Sequence, residues 1–196
     1  MRVVAGRLRG RRLRTLPGQA VRPTSDRVKT CIFDILGDRV CGAMVLDLFA
    51  GSGALGIEAL SRGAARAVFV DSSRRVVMAL EENLRALGLT DQAEVVCSDV
   101  NRYLRQWWGE QPFDLAFADP PYDFCAYEVL LGTLAERSLL RPGGMLVLEH
   151  RKGLELSFPA DAFELVRTKE FGTTGVAWFV MRREAAHEDR HLPRDI

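Results

Sequence analysis

Between residues 43 and 148, short apolar runs alternate with stretches whose apolar residues have helical spacing. The apolar runs predict strands at 44–49, 67–70, 94–97, 115–118 and 145–148. The stretches between them predict helices at 54–62, 73–87, 100–107 and 127–138. Strand–helix alternation is typical of βαβ units, which build a parallel sheet covered on both faces. The pattern therefore predicts an α/β fold of the Rossmann-like kind.

Both ends of the chain depart from this alternation. Residues 163–171 and 176–181 flank a Gly-Thr-Thr-Gly segment, which predicts an antiparallel hairpin that completes a mostly parallel, seven-stranded sheet. At the other end, the segments 3–5 and 12–14 flank a glycine-bounded turn and predict a small basic β-hairpin. A helical stripe then follows, with Ser25 or Thr24 as its N-cap.

The net charge of +1 hides a strong separation of charge along the chain. Residues 1–29 hold eight arginines, one lysine and one aspartate, so they carry +8 and the rest of the chain carries −7. A basic arm on an acidic body indicates a nucleic-acid or membrane partner. As RNA-binding candidates we take Arg2, Arg7, Arg9, Arg11, Arg12, Arg14, Arg22 and Arg27.

Several classes of protein are disfavoured by the composition. No run of about 20 apolar residues predicts a transmembrane helix. The basic N-terminus lacks the apolar stretch of a secretory signal. The four cysteines form no CxxC pair, so we expect reduced thiols, a cytoplasmic location and no metal site.

A glycine-rich loop follows the first predicted strand of the alternating region. Gly51, Gly53 and Gly56 form a GxGxxG pattern between a strand and a helix, which permits a tight turn and close approach of a ligand. Asp71 ends the next strand and can accept hydrogen bonds from both ribose hydroxyls of an adenosine-containing cofactor.

Two cofactors fit this loop. A dinucleotide would place its pyrophosphate on the helix N-terminus, which favours anions. S-adenosylmethionine instead carries a sulfonium and an ammonium, and the acid Asp47 suits those cations and favours this cofactor. Asp47 can also cap the loop backbone, which would not exclude that role. Asp99 can accept from the adenine amine or serve as a helix N-cap. The predicted cofactor site comprises Asp47, Phe49, Ala50, Gly51, Ser52, Gly53, Gly56, Asp71, Ser72, Ser98 and Asp99.

The fourth predicted strand ends in Asp119-Pro120-Pro121-Tyr122. The two prolines remove backbone donors and leave two acceptors, the Asp119 carboxylate and the Pro120 carbonyl. Two acceptors can hold the hydrogens of an exocyclic amine and direct its lone pair at an electrophilic methyl group. Tyr122 offers a flat face on which a base can stack. We therefore predict that these four residues are catalytic.

These motifs together resemble an amino-directed class I methyltransferase. The arm, the segments 22–29 and 58–64, Asn83 and the Phe-Gly-Thr-Thr segment at 171–174 sharpen the resemblance to the bacterial small-subunit rRNA methyltransferase D family. The resemblance covers residues 1–182, where Lys29 departs from the family pattern and is expected to alter contacts with substrate. On this basis the chain divides into an arm (1–24), a methyltransferase domain (25–182) and a polar tail (183–196).

The resemblance implies transfer of a methyl group from S-adenosylmethionine to N2 of one guanine in 16S rRNA, in the small ribosomal subunit or an assembly intermediate. It implies no metal, and nothing in the sequence demands a dimer. Three alternatives stay open: an amino-methyltransferase acting on adenine N6 in DNA or on a glutamine amide, a nicotinamide oxidoreductase, and a non-catalytic RNA-binding assembly factor.

Overall fold

The computed structural model describes residues 1–16, 25–107 and 111–182. Its α-helices are α1 (Asp26–Leu36), α2 (Ala54–Ser61), α3 (Arg74–Leu87), α4 (Val100–Gln106) and α5 (Tyr127–Glu136). Its strands are β1 (Met44–Leu48), β2 (Arg66–Asp71), β3 (Ala93–Cys97), β4 (Phe113–Ala118), β5 (Leu140–Arg151), β6 (Phe163–Phe171) and β7 (Thr174–Met181). Two short 3₁₀ helices lie at Gly37–Val40 and Thr90–Gln92.

All seven strands form one sheet in the order β3-β2-β1-β4-β5-β7-β6. The first five pair in parallel, and β7 runs antiparallel to both β5 and β6. This confirms the predicted Rossmann-like sheet with its antiparallel C-terminal hairpin. The strand order reverses between β1 and β4, and open α/β sheets bind ligands at the carboxyl ends of the strands beside such a reversal.

The two faces of the sheet carry separate hydrophobic cores, because alternate residues of a strand point to opposite faces. One core joins α1, α2 and α3 to the sheet through residues such as Ile32, Ile57, Leu80, Phe117 and Trp178. The other joins α4 and α5 to the sheet through residues such as Leu48, Val70, Leu104, Leu130 and Phe179. Both faces are therefore covered, as the βαβ pattern predicts.

Most element boundaries agree with the sequence, and the differences have local causes. Ser25 caps α1 as predicted, since its hydroxyl accepts a hydrogen bond from the Val28 N–H at 3.3 Å. β5 begins at Leu140 rather than Met145, because residues 141–144 bulge between two stretches of ladder. The Pro-Gly-Gly sequence in that bulge concealed the first part of the strand.

The N-terminal arm forms the predicted hairpin in a shorter version. Arg2 and Arg12 make an isolated antiparallel bridge in place of two extended strands. The ladder goes no further because the N–H groups of Val4 and Ala5 donate to the carboxylate of Glu58, at 2.7 and 2.9 Å. The arm is thus fastened to α2, and its Val3 and Leu13 side chains belong to the hydrophobic core of the domain.

Three features of the sequence analysis fall outside the described residues: Arg22, the alternative N-cap Thr24 and the tail 183–196. In the described ranges, no helix is long and apolar enough to cross a membrane.

Candidate active site at the carboxyl edge of the sheet

The predicted site residues meet at one edge of the sheet. In the register, Leu48 lies between Val70 of β2 and Ala118 of β4. The next residues along these strands are Phe49, Asp71 and Asp119, and adjacent strands are spaced by about 4.8 Å. The glycine-rich loop, the acid that ends β2 and the DPPY turn are therefore neighbours.

The glycine-rich loop has the backbone geometry that its sequence predicts. Gly51 and Gly53 have φ angles of 56° and 78°, in the left-handed region that glycine adopts at least cost. Gly53 is also packed closely, since an added Cβ would lie 2.4 Å from Leu80 Cδ1. At Gly56 an added Cβ would lie 2.3 Å from the Phe69 ring. A larger residue at Gly56 would therefore push α2 away from the sheet.

Carboxylates occupy the N–H groups of this loop. Asp71 Oδ2 accepts from Gly51 N at 3.0 Å, and its Oδ1 accepts from Ser73 N at 2.9 Å. Asp47 Oδ2 accepts from Gly56 N at 2.8 Å. Two of the backbone donors that would cradle a phosphate in a dinucleotide site are thus already satisfied by carboxyl groups. The electrostatics of the loop favour a cationic ligand over a pyrophosphate.

Asp47 lies beneath the loop and is only 2% exposed. Burial is the main cause that raises the pKa of its carboxyl to about 8, and the nearby Asp119 and Asp71 raise it further against the opposing hydrogen bond from Gly56. The capping role of Asp47 is therefore visible in the structure. Its predicted role toward the cofactor's ammonium stays a proposal.

The residues after β3 extend the same edge. Ser98 N donates to the Asp71 carbonyl at 3.0 Å, which places Ser98 beside Ser72 and Asp71. Asp99 is the N-cap of α4, and its Oδ1 accepts from Arg102 N at 2.9 Å. The Asp99 side chain is exposed, so the capping arrangement leaves its second oxygen open to a ligand.

The DPPY turn presents polar and aromatic groups in a fixed arrangement. Asp119 is half-buried, Pro120 is buried, and Pro121 and Tyr122 are exposed. Tyr122 is 57% exposed, yet its hydroxyl donates to Thr173 Oγ1 at 2.7 Å. Thr173 lies in the turn between β6 and β7, so the C-terminal hairpin holds the outer end of the Tyr122 side chain.

Aromatic rings pack behind the turn. Phe124 meets Phe49 edge-to-face with ring centroids 5.3 Å apart, and it meets Tyr127 at 5.0 Å. This row of rings connects the glycine-rich loop to the first turn of α5. Burial and the Asp119 carboxylate both raise the pKa of Tyr127, which keeps its phenol neutral at ordinary pH.

Buried polar side chains attach the arm beside this edge. Glu58 and Lys29 are both 0% exposed and form an ion pair with Nζ and Oε2 3.6 Å apart. Lys29 also donates to the Arg2 carbonyl, and Arg62 Nε donates to Glu58 at 2.9 Å. Lys29 therefore contacts the arm from a fully buried position, and any effect that it has on substrate contacts would act through the arm.

Ser61 and Asn83 complete the attachment. Ser61 Oγ accepts from Leu8 N at 3.0 Å and donates to the Ala5 carbonyl at 2.6 Å. The Asn83 side chain accepts from Arg14 N at 2.8 Å and donates to the Arg14 carbonyl at 3.0 Å. The path of the arm's backbone is therefore set by the buried polar groups of α2 and α3.

The described candidate arginines, six in the arm and Arg27 in α1, fall into two groups. Four have partners within the chain: Arg2 pairs with Asp26 at 2.7 Å, Arg7 donates to Gln92, Arg11 donates to the Ala86 carbonyl at 3.0 Å, and Arg14 pairs with Glu82. Within the part of the chain that the structure describes, the side chains of Arg9, Arg12 and Arg27 have no hydrogen-bond or ion-pair partner. These three guanidinium groups are the ones most available to a phosphate.

Comparison with known proteins agrees with this geometry. The family described as conserved hypothetical protein 95 matches residues 1–180. The ribosomal RNA small subunit methyltransferase D of Haemophilus influenzae is 37% identical over 177 residues, which are 90% of each chain. Its Escherichia coli namesake is 35% identical over 188 residues, which cover 96% of this chain and 92% of that protein. The chain belongs to the small-subunit rRNA methyltransferase D family.

Solved structures support the same assignment. The structure of yhhF from Escherichia coli has a TM-score of 0.84 and 33% identity, and the match covers 93% of this chain and 98% of that one. Among the residues that link this chain to the methyltransferase D family, Glu58, Ser61 and Asn83 turn out to anchor the arm. Thr173 supports Tyr122. No local sequence pattern signals either role, and none signals the packing of Phe124 between Phe49 and Tyr127.

Proposed function

We propose that this chain transfers a methyl group from S-adenosylmethionine to the exocyclic N2 of a guanine in 16S rRNA. The observation that carries the proposal is the DPPY turn, which lies beside an acid-lined glycine loop in a member of the small-subunit rRNA methyltransferase D family. The turn suits an amine as methyl acceptor. The names of the relatives favour ribosomal RNA as its source.

The residues around the loop fit S-adenosylmethionine. Asp47, Asp71, Asp99 and Asp119 make the edge acidic, which suits a sulfonium and an ammonium. Asp71 would accept hydrogen bonds from the ribose hydroxyls, and Asp99 would accept one from the adenine amine. Each carboxylate has lone pairs for this beyond those used in its backbone hydrogen bonds. The glycine loop would contact the amino-acid part. When bound, the cofactor supplies an electrophilic methyl group.

The protein's own contribution is to position the acceptor. The Asp119 carboxylate and the Pro120 carbonyl would accept the two hydrogens of the guanine amine and hold its nitrogen out of conjugation with the ring. Tyr122, steadied by Thr173, would stack on the base. Positioning of this kind accounts for most of the rate enhancement in a reaction whose electrophile is already activated.

The arm would bind RNA phosphates next to this site. Within the described residues, Arg9 and Arg12 of the arm and the nearby Arg27 of α1 have no side-chain partner, and phosphate contacts fix the register of an RNA while the base pocket selects the nucleotide. A guanine in a loop is extruded at lower cost than a paired one, because fewer stacking and pairing interactions are lost. We place this activity in the cytoplasm, on the small subunit or its precursor, with the enzyme as a monomer.

The test measures transfer and cofactor binding separately. Purified protein receives S-adenosylmethionine labelled on the methyl group, with small subunits, naked 16S rRNA, duplex DNA or bulk protein as acceptor. We expect label in RNA. Label in DNA or protein alone would reassign the acceptor, and absence of transfer would leave an RNA-binding factor.

The variant Asp119→Ala isolates the role of the DPPY turn. We expect it to abolish transfer while calorimetry shows cofactor affinity within a few-fold of the wild type. Asp71→Ala is the matched control at the same edge, and it should weaken cofactor binding. If Asp119→Ala loses cofactor binding as severely as Asp71→Ala does, then Asp119 belongs to the cofactor site.

A further inference from the structure

A broad groove lies between α1 and the edge strand β6. Its volume is about 980 Å³, and its walls include Arg27 and Asp34 of α1 and Val166, Arg167 and Lys169 of β6. Among the described residues of the arm, 1–16, none lines this groove. No residue of the predicted cofactor site or of the DPPY turn lines it either.

The groove carries unneutralised positive charge. Arg27, Arg167 and Lys169 face it with a single carboxylate, Asp34. In the described residues, none of these three cations lies within ion-pair distance of a carboxylate. The acids of β6 are engaged elsewhere: Glu170 with Lys152 at 2.8 Å, and Glu164 with Arg182 at 3.9 Å. The excess charge of the groove is therefore available to an anionic partner.

One end of the groove lies at the candidate active site. β6 pairs antiparallel to β7, and β7 pairs antiparallel to β5, so Phe171 at the end of β6 reaches the same edge as the carboxyl ends of the parallel strands. Phe171 lines the groove, and Thr173, two residues later, accepts the Tyr122 hydroxyl hydrogen bond. An RNA strand whose base stacks on the Tyr122 ring can therefore continue directly into the groove.

The other wall of the groove meets the base of the arm. Arg27 lines the groove, and its neighbour Asp26 pairs with Arg2 of the arm at 2.7 Å. Positive groups therefore extend from the arm through Arg27 to Arg167 and Lys169. This path passes beside the candidate active site along the α1 face of the sheet.

We propose that the groove binds backbone phosphates of the substrate RNA in the segment next to the methylated nucleotide. The proposal rests on the RNA substrate proposed above and adds a second RNA-contacting surface, on β6, to the basic arm. Arg27, Arg167 and Lys169 contact phosphates there. The apolar side chains of Ile35 and Val166 line the same groove and offer a surface for sugars and bases. A protein or membrane partner would not need a groove that continues to the base-stacking residue.

The first experiment measures RNA affinity against salt concentration for Arg167→Gln/Lys169→Gln. Each lost phosphate contact makes the negative slope of log K against log salt shallower by about 0.7, so the loss of two contacts makes it shallower by roughly 1.4. The ratio of wild-type to variant affinity should therefore be about 25-fold larger at 0.1 M salt than at 1 M salt. The matched control is Arg66→Gln/Arg105→Gln, which removes the same amount of charge away from the groove. Arg66 is the first residue of β2 and Arg105 lies in the last turn of α4, so both are at the amino ends of the parallel strands. An equal loss in both variants would overturn the proposal, since it would reflect net charge alone.

A second experiment locates the RNA without altering the groove's charge. Cys31 lines the groove, and Lys169 Nζ lies 3.4 Å from its sulfur. Naked 16S rRNA and small subunits should each slow alkylation of Cys31 and leave the exposed Cys41, at the other edge, unaffected. Protection by small subunits but not by naked rRNA would reassign the groove to a ribosomal protein.

Failure of this inference is distinguishable from failure of the proposed function. Methyl transfer by the wild type is measured in the same samples. If the wild type methylates RNA but Cys31 stays reactive and the salt slope is unchanged, the groove proposal is wrong and the function stands. If the wild type neither binds nor methylates RNA, both proposals are wrong.

Discussion

Replacement of Glu58 by glutamine should detach the basic arm and destabilise the whole domain. The two carboxylate oxygens of Glu58 accept from Val4 N, Ala5 N and Arg62 Nε at 2.7, 2.9 and 2.9 Å, and they neutralise Lys29. A glutamine keeps one oxygen but turns an NH₂ group toward one of these donors. It also leaves the fully buried Lys29 ammonium without a counter-charge.

The size of the effect follows from burial. Loss of one partner from a buried ion pair costs about 3–5 kcal/mol, because the remaining charge stays desolvated. For a protein of this length, 1 kcal/mol corresponds to roughly 2–4 °C in Tm. We therefore expect Glu58→Gln to lower the free energy of unfolding by about 3 kcal/mol or more and Tm by roughly 6–12 °C, measured by urea and thermal denaturation. Trypsin should also cut the arm faster.

Two further variants make this prediction specific. The pair Glu94–Arg66 is exposed, so Glu94→Gln should cost no more than about 1 kcal/mol. The double variant Lys29→Met/Glu58→Gln should recover part of the loss, because it also removes the buried charge. The reasoning is refuted if Glu58→Gln loses no more stability than Glu94→Gln. It is also refuted if the double variant loses as much stability as Glu58→Gln and Lys29→Met lose together as single variants.

Three other predictions concern the active edge and the arm. Thr173→Val should raise KM for RNA and lower kcat without changing cofactor affinity, because it removes the shorter of the two hydrogen bonds that hold the Tyr122 hydroxyl, and Thr173→Ser should restore both. Arg9→Gln/Arg12→Gln should lower the salt slope of RNA binding by roughly 1.4, as expected for two single-strand phosphate contacts. The stability of Asp47→Asn relative to the wild type should rise as pH increases from 4 to about 8. Because the folded-state pKa of Asp47 is raised to about 8, the wild type loses stability across this pH range, whereas the amide of the variant does not titrate.

Each of these predictions has a matched comparison. Steady-state kinetics on Thr173→Ser would contradict the positioning role if serine behaved like valine. Arg2→Gln/Arg14→Gln removes two arm charges that already pair within the chain. If this variant changed the salt slope of RNA binding as much as Arg9→Gln/Arg12→Gln does, the paired and unpaired arginines would not differ in their contacts with phosphate. A stability difference between Asp47→Asn and the wild type that stays constant from pH 4 to 9 would show that the pKa of Asp47 is not raised in the folded protein.

The sequence predicted well those parts of the fold that depend on local pattern. Ser25 could be recognised as an N-cap because capping involves only the next three residues. Gly56 could be recognised as a packing position because the GxGxxG spacing fixes where α2 lies against β1 and β2. The same applies to the alternation of strands and helices, whose hydrophobic periods are visible in the chain itself.

The contacts that the sequence could not show are those between distant segments. Lys29 was noted only as a departure from the family pattern, because the carboxylate that pairs with it lies 29 residues further along, in α2. Thr173 is 51 residues from Tyr122, and no local pattern links a hairpin turn to a DPPY motif. Arg167 and Lys169 share β6 with Glu164 and Glu170, and only the position of α1 shows which of these charges share a groove.

The identity of the modified nucleoside is the most direct test of the central claim. Small subunits from a strain that lacks this enzyme would be incubated with the protein and S-adenosylmethionine, and their 16S rRNA digested to nucleosides and analysed by mass spectrometry. Our account predicts N2-methylguanosine, formed by the wild type and absent with Asp119→Ala. N6-methyladenosine, a methylated ribose or an unmodified digest would contradict it.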